Sequence, residues 1–172
     1  MLALDGINDP GNLGTIIRTA DWFGIRKIVT SEDCADIWQP KTLQATMGSI
    51  FRTMVVEVDL EKFIADAQGV PVYGALMEGE NIFNKKMPNA QGIIIIGSES
   101  HGIRKNILPF VTEPIHIPRA VGSKTESLNA AIATAIIMDS ADASVEAKDI
   151  VDPEAKSIIA RMLEIIAFLR PK

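Results

Sequence analysis

Three polar, glycine-containing segments carry the side chains with which this sequence could do chemistry. The first is Asn8-Asp9-Pro10-Gly11-Asn12-Leu13-Gly14, followed by Arg18. The second is Gly97-Ser98-Glu99-Ser100-His101-Gly102, and the third runs from Pro118 through Gly122, Ser123, Lys124 and Ser127 to Leu128 and Asn129. Together they offer anion recognition and the holding of a proton or hydroxyl. Arg18 brings a planar guanidinium about one and a half turns into a helix whose first amides also attract phosphate. Its competing role is an i,i+3 ion pair with Asp21. Glu99 is either a carboxylate kept for function or an anion near the first turn of a helix at Ile103. Ser127 reads as an N-cap, and Asn129 can cap the same helix. His101, beside a glycine in a loop, reads as solvated, and Trp22 and Trp38 read as packing residues rather than base-stacking platforms.

Several chemistries are excluded at once. The second segment lacks the G-x-G-x-x-G spacing of a dinucleotide fingerprint, and Gly122-Ser123-Lys124-Thr125 lacks the Gly-Lys adjacency of a P-loop, which argues against a nucleoside triphosphatase. With one cysteine, Cys34, the chain cannot staple itself, and no Cys/His cluster has zinc spacing, so no metal is expected. The 172 residues are 47% hydrophobic and 23% charged, which suits one globular domain. No apolar run approaches the roughly 20 residues of a membrane helix, and the N-terminus lacks the pattern of a signal peptide. A reducing, cytoplasmic setting is the expectation. The net charge of −5 means that a nucleic-acid partner would need the basic groups to be clustered, or supplied by another segment or chain.

The elements that must position these segments alternate between strand and helix. Leu2 to Leu4, Ile28 to Thr30, Val55 to Val58, Pro71 to Leu76, Gly92 to Gly97 and Ile115 to Pro118 read as strands. Helical stripes run from Leu13 to Phe23 with Gly24 as the stop, from Pro40 to about Met47, from Leu60 to Ala67, from Ile103 to Leu108, and from Ser127 to Met138. The stretch from Glu78 to Gln91 reads as a polar loop. Ile93-Ile94-Ile95-Ile96 has no polar face, as in a parallel strand buried on both sides. The Ser127–Met138 helix is apolar nearly all round and should be buried. Strands separated by helices give an α/β fold, a parallel sheet with helices on both faces. Each of the three segments then comes after a strand's carboxyl end, where open α/β sheets bind ligands. Beyond Asp139 the chain turns acidic, and Asp152-Pro153 opens a last amphipathic helix with Ile158, Ile159, Met162, Leu163, Ile166 and Leu169 along one side.

The order of the segments is more telling than any one of them. Asn8 to Ala20 resembles the first motif of the SpoU (TrmH-type) RNA ribose 2′-O-methyltransferases, Ile96 to Gly102 the second, and Ile117-Pro118 with Ser127 to Ala133 the third. The resemblance covers Leu2 to Met138. It implies a SPOUT-type fold with a C-terminal trefoil knot, S-adenosylmethionine as cofactor, a homodimer, and tRNA or rRNA as the partner. Residues 1–138 would form the methyltransferase domain, and 139–172 an acidic connector and extra helix packed on the domain or on the dimer partner. Carried over by motif, Arg18 is the catalytic arginine. Asn12, Glu99, Ser127 and Asn129 shape the pocket, and the backbone around Leu76, Gly97, Ile117 and Leu128 holds the cofactor. At Gly97 the missing Cβ would permit its close approach.

The sequence departs from the family pattern at Ser100, where glycine is frequent, and in the expanded step from Gly122 to Glu126. Many members carry an N-terminal RNA-recruiting domain, so a chain that starts almost on the first motif reads as the catalytic part of a longer protein. Two other readings stand beside an active methyltransferase: an RNA-binding relative with weak or no activity, and a generic α/β binder of a small phosphorylated molecule.

Overall fold

The β-branched runs and helical stripes alternate so that every strand must pair in the same direction. The computed structural model, which describes residues 1–85 and 92–142, shows this arrangement. Six strands, β1 (Leu2–Asp5), β2 (Lys27–Thr30), β3 (Met54–Glu57), β4 (Val72–Asn81), β5 (Ile93–Gly97) and β6 (Glu113–His116), form one sheet in the order β3-β2-β1-β5-β4-β6. All neighbours are parallel. The chain steps outward from β1 through β2 to β3, then restarts on the other side of β1. The β1/β5 junction is therefore the switch point at which such sheets open a crevice. Asp5 lies opposite Gly97 in that pair, so the first two polar segments leave the sheet side by side.

The isoleucine run is buried on both faces, as its composition requires. Ile94 and Ile96 join Leu2, Leu4 and Ile28 in a core with the helices α1 (Pro10–Trp22) and α4 (Ala130–Asp142). Ile93 and Ile95 join Ala3, Val29 and Val72 in a second core beneath α3 (Leu60–Ala65) and the Ile103–Ile107 segment. After edge strand β6 the chain crosses residues 117–129 and returns to the middle of the molecule, where α4 packs on α1 and β5.

Helix α1 is delimited as its sequence dictates. Asp9 caps it by accepting the Asn12 amide at 2.8 Å, with Pro10 in the first turn. Gly24 (φ +74°) ends it, with Ile25 N–H reaching back to Ala20 O at 2.8 Å. The Asn12 amide, and then Lys41, hold the Asp9 carboxyl below the usual carboxylate range. Its contribution is therefore present at neutral pH and is lost as acidification protonates it.

Helix α2 (Pro40–Thr46) lies against α1 at Gly14, where a Cβ would stand 2.5 Å from both the Ala45 Cβ and the Thr42 carbonyl oxygen. Gly14→Ala must push the two helices apart. A loss of about 2 kcal/mol is expected in urea unfolding, against the few tenths gained from better helix propensity.

Four sequence expectations give way. Strand β4 continues to Asn81 rather than ending at Leu76. Its polar outer half pairs with β6 after a register shift between Ala75 and Glu80, and the Lys85 ammonium joins Glu80 (2.6 Å) to Glu113 (2.8 Å) across the two strands. No α-helix forms over Ile103–Leu108, because the Arg104 N–H is taken by Asp5 and Pro109 interrupts the next turn. A 3-10 turn, Leu108–Phe110, stands there instead.

Trp22 and Trp38 are not packing residues within the described chain, being 83% and 65% exposed. Helix α4 starts at Ala130 and runs four residues past the boundary expected at Met138. It buries only part of its surface, leaving Ile132 53% exposed. The remainder of the expected 139–172 segment, including the helix opened by Asp152-Pro153, lies outside the described residues.

Candidate active site

The three strand-end segments converge on one oxygen. Glu99 Oε1, in the loop after β5, accepts Asn12 Nδ2 at 3.0 Å from the start of α1, Asn129 Nδ2 at 2.8 Å, and the Ala130 N–H at 2.9 Å from the start of α4. Asn129 Nδ2 also donates to Asn12 Oδ1 at 2.9 Å, which closes a ring of three side chains. The other end of Asn129 is equally occupied. Its Oδ1 accepts the Ala131 and Ile132 amides at 3.0 and 3.3 Å, so Asn129 is the N-cap of α4. Capping and clasp are thus two halves of one amide. Ser127, expected to cap this helix, stands exposed three residues ahead of Ala130, and its side chain takes no part in the clasp.

Glu99 is held in place by its own loop. Ser98 and Gly102 exchange backbone hydrogen bonds (3.1 and 2.9 Å), folding the second segment into a tight loop. Ser98 Oγ accepts the His101 amide, and Ser100 Oγ meets His101 Nδ1 at 2.7 Å. Here the role expected for Gly97 changes. A Cβ at Gly97 would lie 2.2 Å from the Gly102 carbonyl carbon and 2.3 Å from Ile103 N, so the space left by hydrogen is filled by the chain's own loop rather than by a ligand.

Sequence reading missed a second anchor beneath the clasp. Asp5, at the end of β1 with a fully buried side chain, accepts the Arg104 amide at 2.7 Å and its Nε at 2.5 Å. Arg104 Nη1 lies 3.7 Å from Asp33, and Asp33 accepts the Ser31 hydroxyl, which itself accepts the Gly6 amide. This chain ties the loops after β1, β2 and β5 together. The available signal was an aspartate ending an apolar strand, where an unpaired carboxylate would be costly. Arg104→Met should destabilise the protein by about 3 kcal/mol because it strands that carboxylate. A loss of unfolding free energy in urea below about a third of that would show Asp5 to be satisfied by other means.

Between β4, β6 and the start of the third segment lies an open cavity of about 340 Å³. Leu76 and Ile117 line it, together with Met77, His116, Arg119 and the chain from Ala120 to Ser123. Gly97 and Leu128 are not in its wall; Gly97 lies on β5, the strand beside β4, and Leu128 precedes the clasp residue Asn129. The segment 117–129 thus begins at the cavity and ends at the clasp. Arg18 stands apart from both, exposed and about 9 Å along α1 from Asn12. Its alternative partner is engaged elsewhere: Asp21 binds Arg26 at 2.8 Å and Arg52 at 2.7 Å, and among the described residues Arg18 makes no ion pair.

The sequence profile of the SpoU rRNA methylase family matches residues 1–139, the part of the chain that holds the sheet, the clasp and the cavity. The chain belongs to this family. Among its relatives is the 23S rRNA (guanosine(2553)-2′-O)-methyltransferase RlmP of Bacillus subtilis, 34% identical over 140 residues, a match covering 80% of this chain and 56% of that protein. A putative RNA methyltransferase of the TrmH family from Porphyromonas gingivalis superposes with a TM-score of 0.75 at 41% identity, over 81% of this chain and 57% of the other. An rRNA methyltransferase from Sinorhizobium meliloti, solved with AdoMet bound, gives a TM-score of 0.75 at 34% identity, over 81% and 54% of the two chains. This SpoU chain spans about half the length of the curated relatives it matches. None of its described helices is long and apolar enough to cross a membrane.

Proposed function

We propose that this SpoU-family chain methylates a ribose 2′-hydroxyl in RNA, with S-adenosylmethionine as donor and tRNA or rRNA as substrate. The observation that carries the reading is the convergence of all three motif loops on Glu99 Oε1, beside a cavity that shares its third loop with that clasp. The cavity fits the cofactor in size and lining. Its volume falls within the range of small-molecule pockets, and Leu76, Met77 and Ile117 offer apolar contact among exposed backbone groups. When bound, S-adenosylmethionine supplies a methyl group already activated on a sulfonium, so little covalent work is left to the protein.

The chain's own residues would orient and hold. The backbone around Leu76 and Ile117 would grip the cofactor, and the backbone around Gly97 and Leu128, outside the cavity wall, would bound the site from the neighbouring strand and the clasp. Asn12, Glu99 and Asn129 keep the loops in register, so that the ribose oxygen and the donor are aligned. Ser127, exposed and close to Asn129 in sequence, is free to contact substrate. Arg18 holds the target's phosphate and polarises the hydroxyl; a guanidinium is a hydrogen-bond donor only and offers no lone pair to take the proton.

Further parts of this reading rest on the family and on surface chemistry. The Leu128 and Ile132 side chains, 45% and 53% exposed next to the clasp, support a homodimer that covers them. The return of the chain from β6 to α4 supports a threaded, knotted crossing. The segment 139–172 would pack on the domain or the partner subunit, and the enzyme would work in the cytoplasm.

Calorimetry with S-adenosylmethionine, then transfer of labelled methyl to total RNA and mapping of the product, tests the proposal. Micromolar cofactor binding and a 2′-O-methylated nucleotide are expected. Absence of cofactor binding would end it, and binding without transfer would favour the RNA-binding relative.

A further inference from the structure

Along α1, Thr15, Arg18 and Trp22 form the exposed stripe opposite the buried Leu13, Ile16, Ile17 and Ala20. Trp22 stands one turn beyond Arg18, about 6 Å along the axis, and is 83% exposed. A second exposed aromatic lies on the 3-10 turn that an ion pair ties to this end of α1. Asp21 and Arg52 are joined at 2.7 Å; Trp22 comes directly after the first in sequence and Phe51 precedes the second. Phe51 is 88% exposed, in the short 3-10 turn Ser49–Phe51 that packs beside α1. Among the described residues Trp22 and Phe51 are the two most exposed aromatics, ahead of Trp38 (65%) and Phe83 (62%).

The local charge says what would cover them. Residues 17–27 and 47–54 contain Arg18, Arg26, Lys27 and Arg52 against the single carboxylate Asp21, a net of +3 within a chain whose net charge is −5. Arg26 and Arg52 remain 57% and 55% exposed while paired, so their outer N–H groups stay open to a further acceptor. Exposed aromatics among guanidinium groups are how proteins hold unpaired bases, by stacking with phosphates neutralised alongside.

We propose that Trp22 and Phe51, framed by Arg26 and Arg52, form a stacking platform for single-stranded RNA next to the nucleotide gripped by Arg18. The proposal rests on the functional reading above and deepens it. The substrate presents unpaired nucleotides on the side that leads from Arg18 toward the end of α1. The patch is locally basic although the chain as a whole is acidic, so phosphates can be neutralised here despite the net charge.

The test uses Trp22→Ala, Phe51→Ala and Trp22→Phe in the full chain. The alanine variants should raise KM for methyl transfer to total RNA about tenfold each, with kcat and S-adenosylmethionine affinity unchanged, and Trp22→Phe should restore most of the loss. Fluorescence anisotropy with a labelled decauridylate should show the same loss. An abasic oligomer of equal length should bind wild type and variants alike. Equal decauridylate binding by all variants would overturn the platform. So would equal loss of both oligomers, which would mean charge alone, or a shift in oligomeric state at constant RNA affinity, which would mean that a second copy covers the patch. A wild type that neither binds S-adenosylmethionine nor methylates RNA would defeat the functional reading instead, and the decauridylate comparison would still decide the platform.

Discussion

Arg18→Ala is expected to lower kcat for methyl transfer by about 10²–10³-fold while leaving S-adenosylmethionine binding within twofold of wild type. The separation is a matter of position. Arg18 lies on the exposed face of α1, outside the cavity wall and outside the clasp, so nothing that shapes the cofactor pocket depends on it. It can supply a fixed cation for a developing oxyanion and a neighbouring phosphate, and a preorganised charge matters most in the transition state. Arg18→Lys keeps the charge but not the planar fork, and should recover part of kcat and little of the geometry. Single-turnover rates at saturating cofactor are the measurement. A variant that loses cofactor affinity as steeply as rate would show Arg18 to be a pocket residue. A variant with unchanged rate would remove it from the mechanism.

Legibility in the sequence depends on whether a feature is local. The Ile93–Ile96 run declares a doubly buried strand, and Gly24 a helix end, because each signal lies within its own element. The outer half of β4 is not legible. Glu78 to Glu80 carries no apolar side chain and is exposed, and it is made into strand by pairing with β6 and by Lys85 bridging Glu80 and Glu113, contacts that no window of the sequence contains. The Asp5–Arg104 pair spans 99 residues and pulls the expected helix at Ile103 into turns. In the site itself, the motifs group Asn12, Glu99 and Asn129, yet the relation between them is not readable from spacing. Asn129 reads in sequence as a cap or as a functional residue, and it is a cap through one amide atom and a clasp through the other. Gly97 shows the reverse case. A glycine expected to admit a ligand instead admits its own loop, because Ser98 and Gly102 fold back over it.

Removing Glu99 tests whether the clasp organises the site, and its signature should differ from that of Arg18. Glu99→Ala withdraws the one acceptor shared by Asn12 Nδ2, Asn129 Nδ2 and the Ala130 N–H. Hydrogen bonds to an ionised group contribute about 1.5–3 kcal/mol each in favourable settings, but this carboxylate is exposed and water can replace part of them. Global stability should therefore fall by only about 1 kcal/mol, while the loops lose their common register. Since segment 117–129 runs from cavity to clasp, the disturbance reaches both ends: S-adenosylmethionine affinity should drop about tenfold and kcat about a hundredfold. Glu99→Gln keeps a carbonyl acceptor of nearly the same shape and should retain most of the cofactor affinity. Asn129→Asp should behave as badly as Glu99→Ala, since it sets a second carboxylate against the first where a donor stood. A double-mutant cycle between Asn12 and Glu99 should show coupling above about 0.5 kcal/mol in kcat/KM, as residues in one network do. Additive effects, or a Glu99→Ala variant that loses rate but keeps cofactor affinity, would mean that Glu99 acts on substrate directly and that the convergence of the loops is held by the Asp5–Arg104 anchor alone.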